Sequence, residues 1–542
     1  MVKVPADVYW TGHSKRTNVV TKHTPHLSTP LVSILLVGIA LCEHCGKTSA
    51  CKTRAAPWQH NLSSSTTTMQ ATLCLFLVAG ASQVALATLP TTVGVWVGHT
   101  NALPDPLLPD VPLLGNGAVG ALLDARNSTC PLMGPTNPAT LAWGRNDTTD
   151  VYLNSNSFWS CGATPGSIAN ASCGMVALGG VSLSLAAAGL AGPLRYEAWQ
   201  AIGNASVGSA WTTTNGGVLS TLHYLHPSDA VLVSELRWAP AAGDPAHVAV
   251  NVSTWANGAS GWRASPYPFS MGCYAPGGGA HPEPVSCSNT SSPQPQQLLA
   301  SVTRGATAGR SGGPIQMRAG LATGVARGSP SSFKTSNWAL WEYPGVAFEV
   351  AVEGGAPPVL LVTAEAENSN FSLPDPSLAA AALALSYMTE EGVARVGAAR
   401  DAFWSEFWGR SSVAIPQQPA LTALWEGASY ALGSAASTNA SVPPPALYGP
   451  WATSDACGWQ GDMTLDYNYE STFFGAFSSN HAPQFASYIT PLLDFVPAGL
   501  DYALLMAAEA KITCLPGTLN FPCHLAPWGL TSFDVSGGQA LY

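Results

Sequence analysis

The chain has 542 residues, a formal net charge of −10, 46% apolar residues and only 10% charged ones. That length and apolar content allow two to four domains with sizeable cores and exclude a disordered polymer. Residues 1–68 carry seven Lys/Arg against Asp7 and Glu43, a net +5. The rest carries −15 with no basic stripe, so nucleic acid is not an expected partner.

The N-terminus holds two apolar runs. Leu31 to Cys42 is too short to cross a bilayer. Met69 to Thr88 is a Met, an apolar run and then Ala85-Leu86-Ala87, the small-x-small pattern of a signal cleavage site. The expectation is a leader over 1–88, with a signal peptide at 69–87 and an extension at 1–68. The mature chain would be secreted or in the endomembrane lumen, without a stable membrane span; a signal anchor is the alternative. Sequons at Asn127, Asn146, Asn170, Asn204, Asn251, Asn289, Asn370 and Asn439 suit an exported glycoprotein. So do eight cysteines after residue 88, with close pairs Cys161/Cys173, Cys273/Cys287 and Cys514/Cys523 as disulfide candidates. None has the C-x-x-C spacing of a zinc site, and no cofactor is expected.

Residues 89–375 read as strands. Val346, Phe348, Val350 and Val352 alternate with Ala347, Glu349 and Ala351, the period of a half-buried strand. Similar runs at Val218–Tyr224, Val231–Trp238, His247–Trp255 and Val359–Thr363 are separated by Gly/Pro/Asn/Ser turns. An antiparallel β-sandwich is the expected domain.

Near Pro374 the pattern changes. Thr389 can cap a helix with Glu390 and Glu391 in its first turn, and Phe403, Trp404, Phe407 and Trp408 give that helix a broad apolar stripe. Residues 376–414 read as a helical linker. Further helices are expected over Leu421–Ser437, Glu470–Phe477, Ala482–Tyr488 and Gly499–Lys511. The fold class is therefore multidomain β plus α.

The segment from Trp459 to Glu470 concentrates the chemistry. It holds the carboxylates Asp462, Asp466 and Glu470, the amides Gln460 and Asn468, Tyr467, Tyr469 and Trp459. Clustered acids move protons at a glycosidic bond, and aromatic faces stack on sugar rings. Asp462, Asp466 and Glu470 stand at i, i+4 and i+8, a stripe of like charge if the segment were one helix. Asp466 and Asn468 can face one ligand only if the chain leaves helix through 465–468 and the helix begins near Tyr469. Asp466 is the candidate proton-transfer group and Asn468 a polar helper. Trp459, Asp462, Glu470 and Trp451 are candidate substrate contacts. The structural alternatives are a capping role for Asp462, a solvated Glu470, and a core role for Trp459, Trp451 and Tyr448. His481 and His524 read as hydrogen-bonded structural residues, and Asn116 as a turn residue.

Four segments carry a family resemblance. Leu113-Leu114-Gly115-Asn116-Gly117-Ala118-Val119-Gly120 resembles the "LGNG-x-x-G" signature of six-hairpin glycosidases, which include glycoside hydrolase families 95 and 65. Asn154 to Trp159 is similar to their "LN-x-x-x-LW", and Phe403 to Ser411 to their "W-x-x-FW-x-RS" linker. Trp459 to Glu470 resembles the "W-H-G-D-Y-H-T-N-I-N-x-Q" stretch of family 95 α-L-fucosidases. The resemblance implies an N-terminal supersandwich, linker helices and an (α/α)6 barrel beginning at residue 415, acting with inversion on an oligosaccharide or glycan. Its water-positioning asparagines fall on Asp466 and Asn468, and its glutamine on Glu470. An Asp at 466 departs from the pattern and leaves the sugar open. About 125 residues follow the linker, too few for twelve helices of about 11–12 residues. The barrel is therefore expected to be incomplete, with its general acid outside this sequence. The alternatives are a non-catalytic carbohydrate-binding protein on the same frame and a family 65-like phosphorylase, which a carboxylate at 466 disfavours because it repels phosphate.

Overall fold

The computed structural model describes positions 90 and 190 and residues 93–97, 111–123, 148–163, 171–185, 194–256, 269–276, 282–285, 299–305, 317–338, 343–369, 373–452, 457–465 and 467–532. All belong to one compact unit, Gln83–Tyr542. The leader at 1–88 lies outside them.

The fold is mixed β and α, and its main sheets are antiparallel. Ten strands form one sheet, in the spatial order Val93–Val97, Arg195–Ala201, Ser206–Thr212, Val218–Leu225, Val231–Ala239, Val359–Asn368, Arg318–Arg327, Leu299–Gly305, Phe269–Pro276 and Pro282–Val285. Seven form the other: Pro330–Trp338, Tyr343–Glu353, His247–Ala256, Gly179–Ser184, Thr148–Ser155, Val119–Leu123 and Leu113–Gly115. Alternation sets the register. Val248 pairs with Val352, Val250 with Val350 and Val252 with Phe348, and all six are buried in a core shared by both sheets.

That core also holds polar groups. Thr149 of the seven-stranded sheet bonds Tyr196 Oη (2.9 Å) and Ser209 Oγ (3.3 Å) of the ten-stranded one. From Ser209 the chain runs through Thr221 (2.8 Å) to His223 (3.0 Å) and Ser234 (2.8 Å). These bonds satisfy groups that would otherwise cost about 1–3 kcal/mol each when buried.

Helix α1 (Pro376–Tyr387) starts at Asp375, whose side chain accepts from Ser377 N, and helix α2 (Glu390–Gly409) starts at Thr389, whose hydroxyl accepts from Gly392 N at 2.9 Å. Together they cover the outer face of the ten-stranded sheet. Ala380, Ala381, Ala384, Val393 and Val396 lie on Val231, Val233, Leu360 and Val362. Trp404, Phe407 and Trp408 then pack with Tyr430 of α3 (Pro419–Ala435). Helices α4 (Asn468–Ser478) and α5 (Ala486–Glu509) follow.

The expectation of separate helices at Ala482–Tyr488 and Gly499–Lys511 is corrected. Residues 482–485 form one 3-10 turn and α5 is continuous over 24 residues, although Pro491 and Pro497 lie inside it. Each proline removes one backbone donor. Burial of Pro491, Phe495, Gly499 and Tyr502 along one face holds the helix nonetheless. By length and composition Ala482–Glu509 could cross a membrane; here its buried face lies in the protein interior.

The Leu113–Gly120 segment docks the helices onto the sheets. Asn116 Oδ1 accepts from Ala118 N (3.0 Å) and Val119 N (2.8 Å), and Nδ2 donates to the carbonyls of His226 and Asp229 (3.0 Å each). Gly117 N donates to Ser434 O (2.8 Å), and Asn156 Nδ2 to Gly117 O (2.9 Å) and Ala435 O (3.0 Å). Gly117 has φ +84°, and a Cβ there would fall 2.5 Å from Ser437 Cα. Only glycine permits both that backbone angle and that approach.

Cys161 and Cys173 form a disulfide, and Cys457 is also disulfide-bonded. No bond joins Cys514 to Cys523, which corrects that expectation. Cys287 lies outside the described residues.

Candidate active site

A chain of unusual backbone angles builds the segment from 459 to 470. Trp459 (φ 48°), Gln460 (φ 60°) and Gly461 (φ 66°) are three successive left-handed residues, a conformation that costs a non-glycine residue about 1–2 kcal/mol. Packing of Gly461 against Met175, Cys457 and Tyr448 fixes the turn from below. The consequence is that Trp459 stands 54% exposed.

Asp462 turns the opposite way. It is fully buried, and its carboxylate accepts from Thr464 Oγ1 (2.6 Å), His524 Nδ1 (2.8 Å) and Ser532 Oγ (2.5 Å). Its carbonyl accepts from Leu447 N at 3.0 Å. Asp462 therefore ties four stretches of chain around a small sheet of Met463–Thr464, His524–Ala526 and Leu530–Thr531. This corrects its expected substrate contact, because a carboxylate with no exposed surface and three protein donors has nothing left to offer a ligand. Of the capping alternative only the backbone part holds: Asp462 ends the Gly458–Gly461 3-10 turn, its N–H donating to Trp459 O at 3.3 Å.

After Leu465, whose N–H donates to Cys523 O at 2.6 Å, the chain turns outward. Asp466 lies outside the described residues. Tyr467 (φ 105°) is 67% exposed, Asn468 opens α4 and is exposed, and Tyr469 is buried. The helix thus begins one residue before Tyr469, after the expected departure from helical geometry. Tyr469 Oη donates to Tyr488 O (2.8 Å) and its ring stacks on Tyr488 at 4.7 Å. Burial, then the neighbouring Tyr488 and Glu470, push its phenol well up. Glu470 accepts from Tyr467 N at 3.1 Å, the reach of an N3 glutamate back to the N-cap. Its expected substrate contact is corrected in part, since the carboxylate caps α4.

Trp451 also departs from expectation. Its Nε1 donates to Leu114 O at 2.7 Å and its ring lies against Leu122, Tyr152 and Trp255 of the seven-stranded sheet. The apolar side of a sheet outcompeted the ligand role, and the ring pins the helical region to the strands. His481 is a core residue, as read. Its ring stacks on Phe407 at 3.8 Å, Nδ1 bonds Ser479 Oγ and Nε2 bonds Phe407 O. Burial lowers its pKa, and Arg410 adds to the effect.

Of the candidates that are described, the fold leaves Trp459 and Asn468 facing solvent, with Tyr467 beside them, and withdraws Asp462, Trp451 and, in part, Glu470. Sequence reasoning missed the Asp462–His524–Ser532 cluster. Sixty-two residues separate Asp462 from His524, and no local spacing signals the pairing. Among the described residues no group of three or more His, Cys, Asp or Glu is placed to hold a metal ion.

No family profile matches the sequence, and no curated protein matches it. Solved structures similar to it include a protein named as a kojibiose phosphorylase from the human microbiome, with TM-score 0.49 and 10% identity over 81% of this chain and 53% of that one. A bacterial glucoamylase in complex with acarbose gives 0.34 and 8% identity over 76% and 55%. A family 92 α-mannosidase from Bacteroides thetaiotaomicron, in complex with mannoimidazole, gives 0.25 and 8% over 63% and 40%. The chain spans about half the length of the first two. At TM-scores below 0.5 such likeness fixes neither family nor activity.

Proposed function

We propose that the chain is a glycoside hydrolase-like protein of the six-hairpin type, closest to family 95. Its strands would form the supersandwich, α1 and α2 the linker, and α3–α5 the first part of an (α/α)6 barrel. The substrate is an oligosaccharide or glycan hydrolysed with inversion, with water activated by Asp466 and held by Asn468. Export through the secretory route belongs to the same reading, supported by the sequons and the leader pattern.

The supporting observation is the turn at 459–468. A strained, buried-anchored segment carries an aromatic ring, a phenol and an amide outward beside the position of Asp466. Such outliers persist where surrounding structure holds them, and they cluster at ligand sites. Trp459 would supply the face for a pyranose ring, Asp466 the base and Asn468 the amide that holds the water. Family 95's second asparagine is kept at Asn468, and its first is replaced by a stronger base.

Two other readings share the frame. A non-catalytic carbohydrate-binding protein needs Trp459 and Tyr467 and no base. A family 65-like phosphorylase needs phosphate beside Asp466, which repels it. One experiment separates them: incubate wild type, Asp466→Asn and Trp459→Ala with an oligosaccharide panel, with and without phosphate, and follow binding and released sugars by NMR. Hydrolysis giving the inverted anomer, lost in Asp466→Asn while binding remains, is the expected result. Binding without turnover in wild type favours the lectin-like reading. Phosphate-dependent release of a sugar 1-phosphate favours phosphorolysis. No binding at all removes all three.

A further inference from the structure

Eight N-x-S/T sequons follow residue 88, and three of them, at Asn204, Asn251 and Asn439, lie among the described residues. The fold treats these three asparagines differently. Asn251 is half-buried in the middle of the strand His247–Ala256, paired with Ser184 on one side and Glu349 on the other. Ser253, which supplies the hydroxyl of that sequon, is buried. Asn204 is half-buried in the turn between Arg195–Ala201 and Ser206–Thr212. Its neighbours Ile202 and Ala205 are buried with Trp404 and Trp408 of α2, so a bulky group on that turn has the helix beside it. Asn439 is exposed, as are Thr438, Ala440 and Ser441 around it, in the loop that leaves α3.

Bonds within that loop set the asparagine side chain. Asn439 Oδ1 accepts from Ser441 N (3.0 Å) and Ser441 Oγ (2.8 Å), while Asn439 N donates to Ser437 Oγ (3.1 Å) and Val442 N to Asn439 O (3.1 Å). With Oδ1 held on the loop, Nδ2 on the other side of the same planar amide is turned away from Ser441. All these partners lie within residues 437–442, so the turn forms locally, before distant segments are in place. In the finished fold Thr490 Oγ1 of α5 donates to Ala440 O at 2.7 Å and fixes the loop. Ser206 Oγ reaches Asn204 Oδ1 at 2.7 Å in the same way, so exposure, and not that bond, separates the two sites. We propose that Asn439 is an N-glycosylation site, occupied in preference to Asn204 and Asn251. This rests on the export reading given above. In the transfer, Nδ2 forms a C–N bond to the anomeric carbon of an oligosaccharide carried on a lipid diphosphate. The bond from that carbon to the phosphate oxygen breaks, the diphosphate leaves with the electron pair, and the amide proton passes to a base of the transferring enzyme. The two hydrogen bonds into Oδ1 draw charge onto that oxygen and ease loss of the Nδ2 proton.

The test expresses the full chain in insect cells and collects it from medium and cells together. Peptides are mapped by mass spectrometry before and after peptide N-glycosidase, and entry into the secretory route is read separately, by secretion or by protease protection of the membrane fraction. The expected result is a glycan on Asn439, with Asn204 and Asn251 bare. Asn439→Gln and Ser441→Ala should each remove one glycan, and Ser441→Thr, which keeps the hydroxyl, should retain it. Both side chains are exposed, so the melting temperature should stay near wild type. Peptide mapping needs no folded protein, so the wild-type site map stands whatever the variants do. Asn439 bare in a chain that has entered the secretory route overturns the proposal and leaves export standing. Occupancy of Asn204 or Asn251 equal to that of Asn439 overturns the preference drawn from the fold. A chain that never enters the route, bare at all eight sequons, removes the export reading and this site with it.

Discussion

The buried histidine of the sheet core favours unfolding in acid. His223 has no exposed surface, and its two ring nitrogens meet Thr221 Oγ1 and Ser234 Oγ. A neutral imidazole satisfies that pair by donating from one nitrogen and accepting at the other; an imidazolium has only donors. Burial accordingly lowers its pKa to about 3. Above about pH 6.5 the ring is neutral both folded and unfolded. Below it the unfolded chain takes up a proton that the folded chain refuses, so stability falls as pH falls, by about 1.4 kcal/mol per pH unit down to about pH 3. The full loss is roughly 4–5 kcal/mol, comparable to the whole stability of a marginal domain. Two glutamates act in the opposite sense. Burial, then the charge of its neighbour, pushes Glu365 well up, and burial pushes Glu367 up to about 7. Each raised value makes stability fall as pH rises above about 4.5, so over the interval in which both glutamates stay protonated in the fold the pair outweighs the single histidine slope. His223→Gln keeps a donor and an acceptor in nearly the same volume and removes the titration. Urea unfolding of both proteins at about pH 7, 5.5 and 4 should show the stability difference changing by about 1.4 kcal/mol per pH unit, in favour of the variant as pH falls. Parallel curves for the two proteins between about pH 6 and 4 would refute the assignment.

Three substitutions test the docking and the site frame. Gly117→Ala forces a side chain into the left-handed region and against Ser437, and should cost at least about 3 kcal/mol or prevent folding, read by thermal unfolding. Trp451→Phe removes the bond to Leu114 O, and should lower stability by about 1–3 kcal/mol while leaving oligosaccharide affinity within twofold or so; a large loss of affinity with stability intact would restore Trp451 to the site. Asp462→Asn puts a second donor against His524 or Ser532 and should destabilise by roughly 2–4 kcal/mol; a variant as stable as wild type that has lost sugar binding would contradict the structural role.

Much of the sheet architecture was legible because a strand's burial is written in adjacent residues. Val346 to Val352 alternate, and the strand Tyr343–Glu353 buries the predicted face; Thr389 with its two following glutamates marked the start of α2 to the residue. Helix α5 was less legible. Pro491 and Pro497 are local signals, whereas the packing of Phe495 that overrides them comes from distant segments. The same applies to Gly115 and Gly117. Their motif is visible, but their partner, the carbonyl of Ser434, lies more than three hundred residues away.

The site divides along the same line, and the division bears on mechanism. A carboxylate in a sparsely charged chain invites a catalytic reading, yet Asp462 and Glu470 both answer to backbone geometry. One cross-links strands and the other caps a helix. Residue type alone cannot separate an acid that holds a site from one that works in it. Accessibility can, and it reverses the expected order: Trp459, equally readable as core or platform, is outward, while the buried Asp462 gives the turn its rigidity. A strained turn fixed by a buried, saturated carboxylate is a frame that holds its neighbours without reorganising when a ligand arrives, which is the condition under which a single base at 466 could act on a positioned water. On the proposed function, catalysis would rest on Asp466 and Asn468. Asn468→Ala should lower kcat with little change in KM if the amide only positions water, and raise KM if it holds the sugar.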